Sequence, residues 1–437
     1  MSKRGQELYR RARQIIPGGT QLLSKRPEMF LPEQWPTYFR QAKGAEVVDL
    51  DGRTYLDMSY AGIGATVLGF ADPDVDGAVK AAIDKGTMAT LNCEEEVELA
   101  ELMLELHPWA QMARFSRAGG EALTIAIRIA RAATKREVIA FCGYHGWHDW
   151  YLSANLAEDT ALDGHLLSGL EPKGVPRGLA GLMQPFHFNQ VEEIEKIAAE
   201  YGSRLAAIVM EPVRSSEPTP EFIRGVRRIA DETGAVLVFD EVTSGFRLNT
   251  GGAHLVYGVE PDIAVFAKAI SNGYPMAAVI GRRQVMDAAQ DTFISSTAWT
   301  ERVGFAAALA TLRKHRQHKV GDHLKRIGGR VKKGWQDASS RVELPIDVTG
   351  IAPLGHFQFK IDGAQELRTL FTQMMLDRGI LASGSFYAMY AHNDAHVDRY
   401  LEAVSDIFGE LKKAVENRSV TQLLRGPVAH TGFSRLT

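Results

Sequence analysis

The sequence has few cysteines and no excess of charge of either sign. Its 437 residues include only two cysteines, Cys93 and Cys142, too few for a disulfide framework and without CxxC spacing. The 50 basic and 53 acidic residues give a formal net charge of -3, so nothing electrostatic favours nucleic acid or an anionic membrane as a partner. We therefore expect a protein of a reducing compartment that acts on small molecules.

Long apolar runs are also absent. No uninterrupted apolar stretch approaches the length that crosses a membrane. The first residues, MSKRGQELYRRARQIIPGG, are charged and helix-like and lack the apolar centre of a signal peptide. These features predict a soluble, cytoplasmic protein without a membrane segment.

Four apolar runs alternate with helical stretches in the middle of the chain. The runs are EVIAFC (137–142), LAAIVM (205–210), AVLVFD (235–240) and DIAVFA (262–267). This alternation is typical of parallel β/α units, and continuous hydrophobicity indicates strands that are covered on both faces. The fold class predicted is α/β, and ligands of such sheets collect at the carboxyl ends of the strands. From about residue 313 basic helical stretches and a few short strands predict a smaller α+β domain, beginning between 315 and 330.

Two charged residues stand at the ends of such runs. Lys268 interrupts DIAVFAKAISNG; alone it is more simply explained as a lysine that reaches solvent, but a desolvated lysine is a nucleophile. Asp240 ends a fully apolar run, and a buried carboxylate there needs a cationic partner, for which a protonated pyridine nitrogen is one candidate. Glu241 can instead be structural, for instance as a partner of Arg247.

Two further segments carry groups of chemical interest. Gly119 and Gly120 lead into a helix in SRAGGEALTIAIRIARAA, where free N–H groups bind phosphate or are simply capped. Tyr144, in FCGYHGWHDW, offers a flat face to a ring, and His145 and His148 lack the further ligands a metal needs, which favours stacking or structural roles. A phosphate turn, an aromatic face, a buried aspartate and a strand-end lysine are together what pyridoxal 5'-phosphate (PLP) requires.

Seven motifs in order along the chain carry a family resemblance. They are PGGT (17–20), AGGEA (118–122), GYHGWHD (143–149), EPV (211–213), FDEVTSGFR (239–247), GVEPDIAVFAKAISNGYP (258–275) and AAALATL (306–312). With them the sequence resembles the class III aminotransferases of PLP fold type I, and most of all their glutamate-1-semialdehyde aminomutase-like branch. The resemblance implies a large PLP-binding domain at 71–320, with a mostly parallel sheet flanked by helices. A smaller α+β domain would combine residues 1–70 with 321–437.

The resemblance also implies roles for individual residues. Lys268 would form the Schiff base with PLP and move the proton between Cα and C4', and Asp240 would hold the pyridine nitrogen. Tyr144 and Val242 would pack on the two faces of the ring. Glu211 would support the cofactor, and no metal is expected.

The resemblance further assigns two glycines to the phosphate of PLP and one threonine to the interface between two subunits. Gly119 and Gly120 would meet the phosphate through their N–H groups, although the family usually has serine or threonine where Gly120 stands. Thr297 aligns with the threonine that reaches the phosphate from a second subunit, which implies an obligate homodimer.

Departures from the family pattern concern the substrate. Where small residues and Asn-Pro usually follow the interface threonine, this chain has Trp299, Glu301 and Arg302. Aminomutases carry an arginine after the N-terminal Gly-Gly, whereas here Lys25 or Arg26 is only approximately in register, and we take these two as substrate-binding candidates.

The function expected is transfer of an amino group from a donor to an aldehyde or ketone acceptor in a ping-pong reaction. A sugar-derived or other polar carbonyl compound is one acceptor suggested by these departures. An intramolecular aminomutase is the alternative. A non-catalytic PLP-binding protein is disfavoured, because it would need neither Lys268 nor Asp240.

Overall fold

The protein was analysed as a computed structural model that describes residues 3–165, 168–213 and 215–432. The strands of these residues are β1 (Phe39–Lys43), β2 (Glu46–Asp49), β3 (Thr54–Asp57), β4 (Met112–Ser116), β5 (Val138–Cys142), β6 (Met183–Pro185), β7 (Leu205–Met210), β8 (Val236–Asp240), β9 (Ile263–Phe266), β10 (Ala277–Gly281), β11 (Ile346–Thr349), β12 (Leu354–Phe359), β13 (Ile380–Leu381) and β14 (Ser385–Tyr387).

The α-helices of the same residues are α1 (Lys3–Ile15), α2 (Pro73–Asp84), α3 (Glu94–Leu106), α4 (Gly119–Thr134), α5 (Asp149–Leu152), α6 (Val191–Tyr201), α7 (Pro220–Thr233), α8 (His254–Tyr257), α9 (Arg283–Met286), α10 (Arg302–Gln317), α11 (Val320–Val342), α12 (Ala364–Asp377), α13 (Asp394–Glu416) and α14 (Val420–Leu423). None of the helices described is both long enough and apolar enough to span a bilayer.

The chain divides into two units, one made of Pro73–Gly321 and the other of Met1–Asp72 with Asp322–Thr437. The first unit contains a seven-stranded sheet in the order β4-β10-β9-β8-β7-β5-β6. Strands β9, β8, β7, β5 and β6 pair in parallel, and only β10 runs antiparallel to both of its neighbours. The α/β class with a mostly parallel sheet is therefore confirmed.

Both faces of this sheet are covered, as continuous hydrophobicity predicts. Ile139 and Phe141 of β5 lie in a buried cluster that includes α4, whereas Ala140 and Cys142 lie in a second cluster that includes α7. Successive side chains of a strand point to opposite faces, so a strand between two helical layers must be apolar throughout. The polar residues that follow such strands stand at the edge of the sheet.

The second unit contains two small sheets, with strand orders β1-β2-β3-β13 and β11-β12-β14. Strand β13 pairs in parallel with β3, matching Ile380 to Leu56, so the N-terminal and C-terminal parts of the chain share one sheet. Helices α12 and α13 also belong to this unit.

Candidate active site

Asp240 ends β8 and is 2% exposed. Its Oδ1 accepts a hydrogen bond of 3.0 Å from the N–H of Val242, and its Oδ2 lies 2.8 Å from Nδ1 of His145. Burial raises the pKa of Asp240, and the hydrogen bond from His145 only partly opposes that effect. A carboxylate in this position gains from a further cation nearby.

His145 is fully buried between two acceptors. Its Nε2 lies 3.2 Å from the carbonyl oxygen of Cys142, while Nδ1 faces Asp240. Two hydrogen bonds of this kind require either a proton on each ring nitrogen or a proton on Asp240 that it donates to Nδ1. The sequence favoured a stacking or structural role for His145 over metal binding, and it did not connect His145 with Asp240.

Glu241, the next residue, faces a different pocket and is also fully buried. Its Oε1 accepts hydrogen bonds from Nδ1 (2.7 Å) and the backbone N–H (2.9 Å) of His254, and its Oε2 accepts one from the hydroxyl of Ser244 (2.6 Å). Burial alone would raise the pKa of Glu241, but these hydrogen bonds outweigh burial and lower it. The sequence suggested a partner such as Arg247; the structure identifies His254 and Ser244.

Lys268 follows β9 and begins the single 3-10 turn Lys268–Ser271. It is half-buried, and its Nζ donates a hydrogen bond of 2.8 Å to Oγ1 of Thr243. Its φ of +49° lies in the left-handed region, which is uncommon for a residue with a side chain and concentrates at functional sites. The lysine is thus held at the sheet edge by Thr243, a residue that sequence reasoning did not single out.

Gly119, the first residue of α4, brings the glycine turn against the same edge. A Cβ atom on Gly119 would lie 3.0 and 3.1 Å from the two methyl groups of Val242 and 3.5 Å from Cβ of Ala267. The turn, the end of β8 and the residue before Lys268 are therefore in direct contact. The N–H groups of Arg117 and Ala118, just before the helix, donate to Oε2 of Glu121. The first N–H groups of the helix itself have no acceptor within the helix, and together with the helix dipole they make this a place for an anion.

Gly120 has a different neighbour. A Cβ atom there would lie 3.0 Å from Cε1 and Nδ1 of His148. Among the described residues, Nδ1 of His148 is buried and has no hydrogen-bond partner. Burial lowers the pKa of His148, and the negative charges of Glu121 and Asp149 partly oppose that lowering.

Tyr144 and Glu211 lie at the ends of neighbouring strands β5 and β7. Oε2 of Glu211 accepts a hydrogen bond of 3.1 Å from the N–H of Tyr144, and the N–H of Glu211 donates to the Cys142 carbonyl at 3.2 Å. The Tyr144 side chain remains 36% exposed, with its ring edge-on to Tyr151. Glu211 thus orients the loop that carries Tyr144 and His145.

Thr297 lies in an exposed, hydroxyl-rich stretch. It begins the 3-10 turn Thr297–Thr300, and Ser295, Ser296 and Ala298 beside it are exposed as well. This exposure leaves the Thr297 side chain on the surface of its unit.

The bulky and charged residues after Thr297 have structural explanations. Glu301 caps α10 by accepting hydrogen bonds from the N–H groups of Val303 (2.6 Å) and Gly304 (3.3 Å), and Arg302 pairs with Glu95 of α3 at 3.0 Å. Trp299 packs against the buried cluster that includes α4. The capping, the ion pair and the packing account for these departures within the unit, so the structure offers no reason to read them as substrate contacts.

Lys25 and Arg26 belong to the other unit. Lys25 is exposed and ends the 3-10 turn Leu23–Lys25, whereas the Arg26 guanidinium lies against Gly18. No group of three or more His, Cys, Asp or Glu residues able to hold a metal ion occurs in the part of the chain described.

The model of the class III aminotransferase family matches residues 32–408. The chain belongs to the class III aminotransferases. Three curated relatives cover nearly all of this aminotransferase. They are 3-aminobutyryl-CoA aminotransferase of Cloacimonas acidaminovorans (31% identical, 94% of this chain and 98% of the relative), 2'-deamino-2'-hydroxyneamine transaminase of Streptomyces kanamyceticus (32%, 86% and 92%) and glutamate-1-semialdehyde 2,1-aminomutase of Desulforudis audaxviator (33%, 93% and 97%).

Among solved structures, the aminotransferase is similar to the FumI protein of Sphingopyxis sp. MTA144, determined with PLP. The TM-score is 0.86 at 27% identity, over 95% of this chain and 98% of the other. The expected family and its aminomutase-like branch are thereby confirmed, as is fold type I.

Proposed function

We propose that this enzyme is a PLP-dependent aminotransferase that moves an amino group from a small-molecule donor to an aldehyde or ketone in a ping-pong reaction. The observation that carries the proposal is one contact network at the sheet edge, in which Gly119 touches Val242, Val242 donates to Asp240, and Lys268 donates to the adjacent Thr243. The residues present fit PLP: a helix start for its phosphate, a buried carboxyl for its ring nitrogen and a half-buried amine for its aldehyde.

The cofactor is PLP, which when bound supplies an electrophilic aldehyde and an electron sink. Lys268 would hold it through Nζ and would carry a proton at Nζ to and from the substrate Cα. Asp240 would keep the ring nitrogen protonated, with His145 and the Val242 N–H fixing both carboxyl oxygens. Tyr144 and Val242 would cover the two faces of the ring, and Glu211 orients the Tyr144 loop.

Borohydride reduction of the PLP-loaded enzyme tests this proposal. The peptide that contains Lys268 should gain the mass of the reduced cofactor, and Lys268→Ala should abolish both the label and the cofactor's absorbance band. Lys196→Ala, on the exposed face of α6, is the matched control and should keep both. Persistence of the band in Lys268→Ala would refute the covalent role.

A donor and acceptor screen separates transaminase from aminomutase. An intermolecular transaminase should lose its absorbance band with a simple amino donor such as alanine or glutamate and regain it with a carbonyl acceptor. An aminomutase should need no external donor. The relatives include both a transaminase and an aminomutase. Because one of them is a 2'-deamino-2'-hydroxyneamine transaminase, the screen should include sugar-derived carbonyl compounds as acceptors.

The homodimer, with Thr297 completing the phosphate site of the second subunit, is part of the proposal. The exposure of Thr297 and of large apolar side chains in the same unit, Leu91 (82%) and Phe293 (89%), supports it. Lys268→Ala and Thr297→Ala subunits, each inactive alone, should form active heterodimers when mixed, because one site then receives a native lysine and a native threonine. No recovery on mixing, with dimers present, would place Thr297 outside the partner's site.

Lys25 and Arg26 remain candidates for binding a substrate carboxylate. Substitution of either by alanine should raise KM for acidic substrates more than it lowers kcat. A cytoplasmic location, inferred from the cysteine content, is consistent with the free thiols of Cys93 and Cys142.

A further inference from the structure

Gly120 has no backbone reason to be glycine. It lies in the first turn of α4 with ordinary helical geometry, where glycine costs about 1 kcal/mol relative to alanine. The reason lies in its surroundings, because a Cβ atom would approach the His148 ring to 3.0 Å, closer than the usual 3.5–4.0 Å contact between carbon atoms. The imidazole occupies the space that a side chain at position 120 would take.

The His148 ring is held in that place by its neighbours. The exposed indole of Trp147 stacks on the His148 ring at 4.4 Å between ring centroids. The carbonyl of His148, which precedes α5, accepts hydrogen bonds from the N–H groups of Tyr151 and Leu152 in that helix. Gly146, with a φ of +102°, brings the same loop close to Cα of Gly120. The contact between loop and helix start is therefore built by several residues.

The ring presents an unused polar atom at the helix start. Nδ1 of His148 is buried and has no hydrogen-bond partner among the described residues. Buried polar atoms are nearly always paired, so an atom of this kind indicates a group that the protein alone does not supply. The atom lies beside the first N–H groups of a 16-residue helix. An anion with acceptor oxygens could accept hydrogen bonds both from Nδ1–H of His148 and from these N–H groups.

We propose that His148 binds the phosphate of the cofactor through Nδ1–H, in the place of the side-chain hydroxyl that Gly120 lacks. The inference rests on the proposed PLP function and answers what compensates for glycine at position 120. Glycine at 120 and histidine at 148 act as a pair: the first makes room, and the second supplies the hydrogen bond.

The test compares PLP with pyridoxal, which lacks the phosphate, as ligands of the cofactor-free dimer in equilibrium dialysis. His148→Phe, which keeps a ring of similar shape without a donor, should weaken PLP binding about 10- to 100-fold, the range for a hydrogen bond to a charged group. Pyridoxal binding should stay within about twofold, since the lost bond involves the phosphate alone. His148→Asn, which retains a donor nitrogen, should restore most of the PLP affinity.

A swap of the pair sharpens the test. Gly120→Ser alone should weaken PLP binding, since the new side chain meets the ring. Gly120→Ser combined with His148→Ala should recover PLP affinity to within about threefold of the wild type, a strongly non-additive result. This double variant also keeps the proposal testable if His148→Phe fails to fold.

Three outcomes would overturn the inference. Affinities for PLP and pyridoxal that both stay at wild-type values in His148→Phe would mean that the ring does not touch the phosphate. Equal loss of both ligands would assign His148 a structural role only. If the wild type binds neither ligand and borohydride leaves Lys268 unlabelled, the PLP function fails and this inference with it, a result that differs from the other two.

Discussion

Two neighbouring carboxyl groups at the end of β8, Asp240 and Glu241, are both buried and both paired with a buried histidine, yet their electrostatics are opposite. Glu241 receives three hydrogen bonds from His254 and Ser244, and its pKa is lowered. Asp240 accepts one from the Val242 N–H and shares one with Nδ1 of His145, and its pKa is raised by burial.

The difference separates a carboxyl whose hydrogen bonds outweigh the cost of burial from one for which burial dominates. The Glu241 pocket is complete within the protein, so its charge serves the fold. Asp240 has fewer hydrogen bonds to its carboxyl than Glu241, and a protonated ring nitrogen beside it would stabilise the charged form. Adjacent residues of one strand end serve different purposes because their side chains point to opposite faces of the sheet.

The largest effect that this comparison predicts is on catalysis. Asp240→Asn keeps an oxygen for the Val242 N–H but removes the negative charge, so kcat/KM should fall about 100- to 1000-fold or more. The temperature of thermal unfolding of the cofactor-free protein should not fall, because an uncharged side chain is compatible with the buried site. Near-normal turnover in this variant would show that Asp240 is not the electrostatic partner of the cofactor.

Glu241→Gln should act on stability instead. Loss of the buried charge beside His254 and Ser244 should lower the free energy of unfolding by about 2–4 kcal/mol, measured by urea denaturation. Glu232→Gln, which breaks an exposed pair with Arg228 on α7, is the matched control and should change it by less than about 0.5 kcal/mol. A Glu241→Gln protein as stable as this control would contradict the structural role.

The pH dependence of stability should differ in sign between the two positions. The lowered pKa of Glu241 means that its contribution is present above its usual value of 4.5 and is lost as the pH falls, so wild type and Glu241→Gln should converge in acid. The raised pKa of Asp240 means that its contribution is full below 3.8 and is lost as the pH rises, so Asp240→Asn should gain on the wild type with rising pH. Urea denaturation of the cofactor-free proteins across this range measures both; parallel curves for the two variants would remove the distinction.

The smallest predicted effect is spectroscopic. His254 accepts from Nε1–H of Trp109 (2.9 Å) at Nε2 and donates from Nδ1 to Glu241, so only one neutral tautomer fits. His145 faces acceptors on both sides and should show two protonated nitrogens or one proton shared with Asp240. Nitrogen-15 NMR of histidine-labelled protein, assigned with His145→Gln and His254→Gln variants, should distinguish them; identical patterns would argue against the comparison.

Much of the fold was predictable from the chain, and so were two of the central side chains. The runs that became β5, β7, β8 and β9 are apolar on both faces, which happens only between two covering layers, and Asp240 and Lys268 stand out because each breaks such a pattern. Strands β4, β6 and β10 were not recognised: β6 has only three residues, the β4 segment MARFS is interrupted by Arg114, and the β10 segment AAVIG begins with alanines and ends with glycine, which have low β-propensity.

The order of residues along the chain was enough to predict that a lysine and an aspartate lie at the same edge of an α/β sheet, because parallel strands present their carboxyl ends together. Tertiary structure alone decided that His145 faces Asp240, that Thr243 holds Lys268 and that the His148 ring fills the space beside Gly120. These pairs lie 25 to 95 residues apart. Contacts between distant segments depend on how loops cross the sheet edge, and no local period of hydrophobicity encodes that path.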